Sequence, residues 1–121
     1  MAGGPLDGAA LVLAAAKASV SGERLPDLAD RAQALLGPRL PAYGRQYECP
    51  YEDESAAVFF LEEGHWAAIG AEMGLETREW QALRRAHAEH LRQLGDDLDR
   101  SEEFETALDL REAVVIGKPA D

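Results

Sequence analysis

Few residues in this chain have the types and spacing for chemistry. His87 and His90 stand three apart, one helical step, and His65 is the only other imidazole. Three such nitrogens could ligate a metal. No carboxylate or cysteine completes a ligand spacing, however, and a histidine pair on a polar helix is ordinarily solvated, so neither metal nor cofactor is expected. Cys49 is the single cysteine, which rules out an intramolecular disulfide and a four-cysteine zinc site. It lies between Glu48 and Pro50, and an acidic neighbour raises a thiol pKa rather than activating it. Glu62-Glu63 and Glu102-Glu103 are adjacent pairs whose side chains diverge, which makes poor acid/base dyads. There is no glycine-rich phosphate loop and no Gly-x-Ser-x-Gly turn, so the expectation is a protein that is not an enzyme. Tyr43, Tyr47 and Tyr51 recur every four residues and would serve as a stacking surface, or more commonly as a core or partner interface.

Composition narrows the class. A chain of 121 residues suits one domain with one core, and 46% hydrophobic residues argue against wholesale disorder. The charge is unusual: 23 acids face 12 bases, for a net of −11, and only Lys17 and Lys118 among those bases are lysines. Many acids, little lysine and much alanine resemble the proteins of halophiles, which accumulate molar salt in the cytoplasm. There a Debye length of about 3 Å at 1 M hides carboxylate repulsion. The apolar run AALVLAAA, residues 9–16, is too short for a membrane span of ~20 residues, and Asp7 rather than a basic residue precedes it. With one cysteine, the expected location is cytoplasmic.

These residues need elements to position them. Asp7 caps a first helix to about Val20, and Pro26 opens a second whose stripe is Leu28, Ala32, Leu35 and Leu36, giving a helical hairpin over 1–37. From Tyr43 the period becomes two and predicts a strand. After the acidic turn at 52–55, AAVFFL (56–61) is apolar on both faces, so 43–62 reads as a β-hairpin with an open edge that would allow homodimerisation. A helix from about His65 to Met73 follows. A longer one, capped by Thr77, carries Trp80, Leu83, Ala86, His87, Leu91 and Leu94 up to Gly95. A terminal helix starts near Ser101, and AVVIG (113–117) either continues it or forms a third strand, which its β-branched residues slightly favour. The fold class is α+β: a mostly helical single domain over 1–121, with a central β-hairpin, a paired-helix unit at 65–95 and a terminal segment at 101–117.

The join at Gly74 has a definite logic. Ile69, Met73, Leu75, Trp80 and Leu83 lie at apolar offsets around it, with Gly70 as the small residue where two helices would cross. The pattern resembles the helix-turn-helix family of DNA-binding domains over residues 66–94. The resemblance implies that the second helix enters the major groove with Glu76, Thr77, Arg78, Gln81, Ala82 and Arg85 toward DNA and Arg84 toward a phosphate. Arginine bridges two acceptors of guanine and glutamine pairs with adenine. Residues 77–95 carry a net +2, whereas 96–112 carry −6. The implied partner is double-stranded DNA. The competing expectation is a non-catalytic protein–protein interaction module or homodimer. No membrane partner is expected.

If the acidic surface is a salt adaptation, the midpoint of thermal unfolding followed by circular dichroism rises steeply from about 0.1 M to about 2 M KCl. A melting temperature independent of salt would remove the halophilic reading.

Overall fold

The computed structural model describes residues 24–119. The expected helix from Asp7 to Val20 lies outside them. Helix α1, Arg24–Leu36, buries Leu25, Leu28, Ala29, Ala32 and Leu36 on one side, with Pro26 in its first turn, where a missing N–H costs nothing. Gly37-Pro38 opens a 3-10 turn, Gly37–Arg39, that leads into a short helix α2, Leu40–Gln46. Two prolines again occupy first turns. The strand expected from Tyr43 therefore starts only at Glu48, because Tyr43 is helical and its carbonyl accepts the Tyr47 N–H at 3.0 Å. A spacing of four fits a helical face as well as an alternating strand, which is why the pattern misled.

Strand β1, Glu48–Glu52, pairs antiparallel with β2, Ala56–Leu61, through a turn in which the Asp53 carboxylate accepts the N–H groups of Ser55 (2.8 Å) and Ala56 (3.0 Å). These bonds hold the Asp53 carboxyl below its usual range. Helices α3 (His65–Met73), α4 (Thr77–Leu98) and α5 (Ser101–Leu110) follow, and the chain returns as β3, Glu112–Gly117. The β-branched segment is thus a strand. It joins the other side of β2, giving the order β1-β2-β3 with Ala57 opposite Ile116 and Phe59 opposite Val114. The apolar strand AAVFFL is central, and the open edge expected of it is already filled. Helix α4 runs three residues past Gly95, and Asp99 ends it at φ 58°. Gly95 lies inside the helix because α5 packs there: an added Cβ would stand 3.1 Å from the Phe104 ring and 3.2 Å from Ser101 Cα. The result is an α+β domain with both faces of a three-stranded sheet covered. No helix among the described residues is long and apolar enough to cross a membrane.

Helix α4 lies along the outer edge of β3. Its Leu83 and Ala86 join Phe59, Leu61, Val114 and Ile116 on one face of the sheet, while Leu91 joins Val58, Phe60 and Val115 on the other, beside Phe104 of α5. Between these halves, His87 meets the strand itself. Val115 N–H donates to His87 Nδ1 at 2.9 Å in the buried interior. The remaining edge groups are also taken: Gln33 donates to Val115 O (2.7 Å) and accepts from Gly117 N–H (2.9 Å), and Trp66 Nε1 donates to Ala113 O (2.9 Å). Strand β3 therefore has no edge for another chain to pair with at these positions. On β1, Pro50 has no N–H and its carbonyl accepts Arg100 Nη1 at 3.1 Å.

Burial holds the His87 imidazole neutral, its pKa pushed down to about 3. Its folded value lies below that of the unfolded chain, about 6.5. The neutral form's contribution is complete above about pH 6.5 and is lost as pH falls toward about 3, at roughly 1.4 kcal/mol per pH unit. Urea titrations should accordingly show stability falling between pH 6.5 and 5, and falling less steeply in a His87→Gln variant. Identical slopes in the two proteins would mean that His87 is not buried neutral.

Candidate functional site

The site under test is the α3–α4 pair. Helix α3 begins at Gly64 (φ 98°), which offers no side chain to its free N–H groups. A residue 48 positions away supplies the cap: the buried Glu112 carboxylate accepts Gly64 N–H at 3.0 Å and Trp66 N–H at 2.8 Å. The helix ends at Gly74 with φ 71°, and Leu75 N–H closes back to Gly70 O at 2.8 Å. Gly70 is the crossing residue the sequence implies. A Cβ there would lie 2.6 Å from Trp80 Cγ and 2.7 Å from Trp80 Cβ, so the indole occupies the space a side chain would need. Ile69 and Leu83 are buried in the same core, and Met73, Leu75 and Trp80 pack partly buried against it.

The start of α4 differs from expectation at the cap. Thr77 is the first helical residue and Glu76 the N-cap, with its N–H donating to the Glu79 carboxylate at 2.9 Å. That bond, reinforced by Arg24 of α1 at 3.0 Å, holds the Glu79 carboxyl below its usual range. Two carboxylates therefore stand at the positive end of the helix dipole.

The expected DNA-facing residues divide into two groups. Thr77, Arg78 and Arg85 are exposed and Gln81 is half-buried, and all four lie on the outer side of α4. Arg78 Nε reaches Glu76 at 3.1 Å, whereas Arg85 has no ion pair among the described residues. Ala82, in contrast, is fully buried in the core with Leu25, Leu28 and Ala32 of α1, so it cannot face DNA. Arg84 turns inward: its guanidinium sits 5.5 Å from the Trp80 ring centroid and 3.8 Å from Glu112 Oε2.

Three residues absent from the sequence-based site share this neighbourhood. Arg92, Leu110 and Arg111 line, with Arg84 and Arg85, a cleft of about 320 Å³ between α4, the end of α5 and the start of β3. Arg92 follows Arg85 by seven residues and was legible as the same helix face. Arg111 ends a strongly acidic segment and gave no such signal. Leu110 is 76% exposed at this rim.

The other candidates are structural. Tyr43 and Tyr47 pack with ring centroids 5.0 Å apart against His65, whose Nε2 lies 2.6 Å from Tyr43 Oη. Burial pushes the Tyr43 hydroxyl up to about 12 and the His65 imidazole down. Tyr51 belongs to the opposite face of the sheet, its Oη donating to Asp53 at 3.2 Å, so the tyrosine ladder is split. Burial, then Glu52, raises the Cys49 thiol. His87 is interior, and among the described residues no three His, Cys, Asp or Glu side chains converge to hold a metal ion.

Gly70→Ala should cost about 1–3 kcal/mol by overpacking against Trp80, whereas Gly37→Ala, with open space around its Cβ, serves as the neutral control. Denaturant midpoints compare the two. Equal stability would mean the helices do not cross at Gly70.

No curated protein and no solved structure matches this chain. The model of one family, described as a domain of unknown function, DUF8048, matches residues 4–118. The chain, matched over nearly its whole length, belongs to that family.

Proposed function

We propose that this domain is a non-catalytic, DNA-associated protein of a salt-accumulating cytoplasm, and that it meets double-stranded DNA with the outer side of α4. The observation that carries the reading is the exposed row Thr77, Arg78, Gln81 and Arg85, which starts directly after a helix crossing closed by Gly70, Gly74 and Trp80. In this reading Arg78 and Arg85 bind phosphates or guanine edges, and Gln81 and Thr77 complete the contact. Arg84 is a positioning residue held by Trp80 and Glu112. Glu76 and Glu79 keep phosphates from the helix start, so the arginines rather than the helix dipole supply attraction. A net charge of −11 repels DNA in dilute buffer, and molar potassium salt confines that repulsion to a few ångströms.

A second reading, a protein partner on this surface, is favoured by the same two carboxylates and by the exposed Leu110 at the cleft rim. Capture of genomic DNA fragments in KCl from about 0.2 M to about 2 M decides between them. The DNA reading expects retained fragments with a shared motif, lost in Arg78→Ala/Arg85→Ala and kept in Arg84→Ala. If no fragment is retained at any salt where the protein is folded, the protein-partner reading stands instead.

A further inference from the structure

The cleft beside α4 holds an unusual concentration of charge. The chain has ten arginines, and Arg84, Arg85, Arg92 and Arg111 line this one hollow. Elsewhere on the surface, Arg24, Arg39, Arg78 and Arg100 each hydrogen-bond a carboxylate, whereas Arg31 donates only to the Met73 carbonyl and Arg45 has no ion pair among the described residues. Within the cleft, Arg111 reaches Glu48 at 2.6 Å, and Arg92 is shared between Glu89 and Glu105. Arg84 and Arg85 are different. Among the described residues Arg85 has no ion pair, and Arg84 has only Glu112 at 3.8 Å, beyond hydrogen-bond reach. Each oxygen of Glu112 already accepts one backbone N–H at the start of α3, from Gly64 and from Trp66.

Two consecutive guanidiniums with no carboxylate hydrogen bond among the described residues line a hollow of about 320 Å³, near the lower size of small-molecule sites, roughly 300–1,000 Å³. Arg111 lines the same hollow from the junction of α5 and β3. Ala88, Leu108 and Ala113 give it an apolar part. Glu63 and Asp109 also line it, so a singly charged carboxylate gains little, whereas a dianionic phosphate offers enough charge and oxygens to engage several guanidinium forks at once.

We infer that this cleft binds a small phosphate-bearing molecule, its phosphate held by Arg84 and Arg85 with Arg111 as a further donor and its organic part against Leu108 and Ala113. The site goes beyond the DNA reading: it shares Arg85 with the proposed DNA face, while Arg84 and Arg111 are outside that face.

The test is titration of the full chain with inorganic pyrophosphate in 1 M KCl at matched ionic strength, followed by the shift in melting temperature and by calorimetry. A saturable shift is expected, with Kd raised about tenfold or more in Arg85→Gln and in Arg84→Gln/Arg111→Gln, and unchanged in Arg45→Gln, which lies outside the cleft. Arg85→Gln removes no ion pair among the described residues, so it reports on binding even if the double variant unfolds. Absence of saturation, or equal Kd in wild type and both cleft variants, overturns the site. Binding lost equally in Arg78→Ala would assign the phosphate to the DNA face and also overturn it.

Discussion

The constraint on which this domain depends is the outer edge of β3. A three-stranded sheet leaves one edge on each side, and buried backbone groups there must find partners. Here they find side chains from three different helices: Gln33 of α1, Trp66 of α3 and His87 of α4. Each bond fixes a helix against the strand by a directional contact that apolar packing alone does not provide. The arrangement also explains a buried imidazole in a mostly apolar interior. His87 accepts from Val115 with Nδ1, which places its proton on Nε2, and that nitrogen has no hydrogen-bond partner among the described residues. It lies beside the Trp66 ring, with centroids 4.6 Å apart. The cost of one orphaned donor is accepted where a closed strand edge is gained.

The same strand organises the helix pair. Glu112, its first residue, caps α3 in place of a local N-cap side chain, so the orientation of the first helix depends on the sheet. The crossing with α4 is then set by contact between Gly70 and the Trp80 indole. These two determinants differ in kind: one is a long-range hydrogen-bonded cap, the other a short-range steric fit. Together they decide which side of α4 stays free. Arg84 is drawn toward Trp80 and Glu112, while Arg85, one residue on, remains exposed.

The surface charge follows a simple pattern. With 23 acids for 12 bases, most arginines have a carboxylate within reach, and exposed pairs of this kind contribute little stability each. The informative positions are those where pairing is incomplete. Two of them, Arg84 and Arg85, stand beside the start of β3, where the buried Glu112 carboxylate already accepts two backbone N–H groups.

Much of this was readable from residue order alone. The α1 stripe, the doubly apolar AAVFFL strand, the third strand at 112–117 and the Gly70–Gly74–Trp80 join all follow from local periodicity, turn chemistry and side-chain size, which act over a few residues. What local pattern could not supply was pairing between distant segments. The tyrosine spacing suited helix and strand equally, and only the prolines' tertiary setting made 40–46 helical. Ala82 was assigned to the DNA face by position in a motif, yet α1, more than 40 residues earlier, packs in the same core and buries it. Arg111 belonged to an acidic segment until β3 brought it beside α4. Sequence therefore determined the elements and the turn, because their causes are local. The tertiary structure decided which arginines are free and which face is covered, because those depend on partners that only the folded sheet brings together.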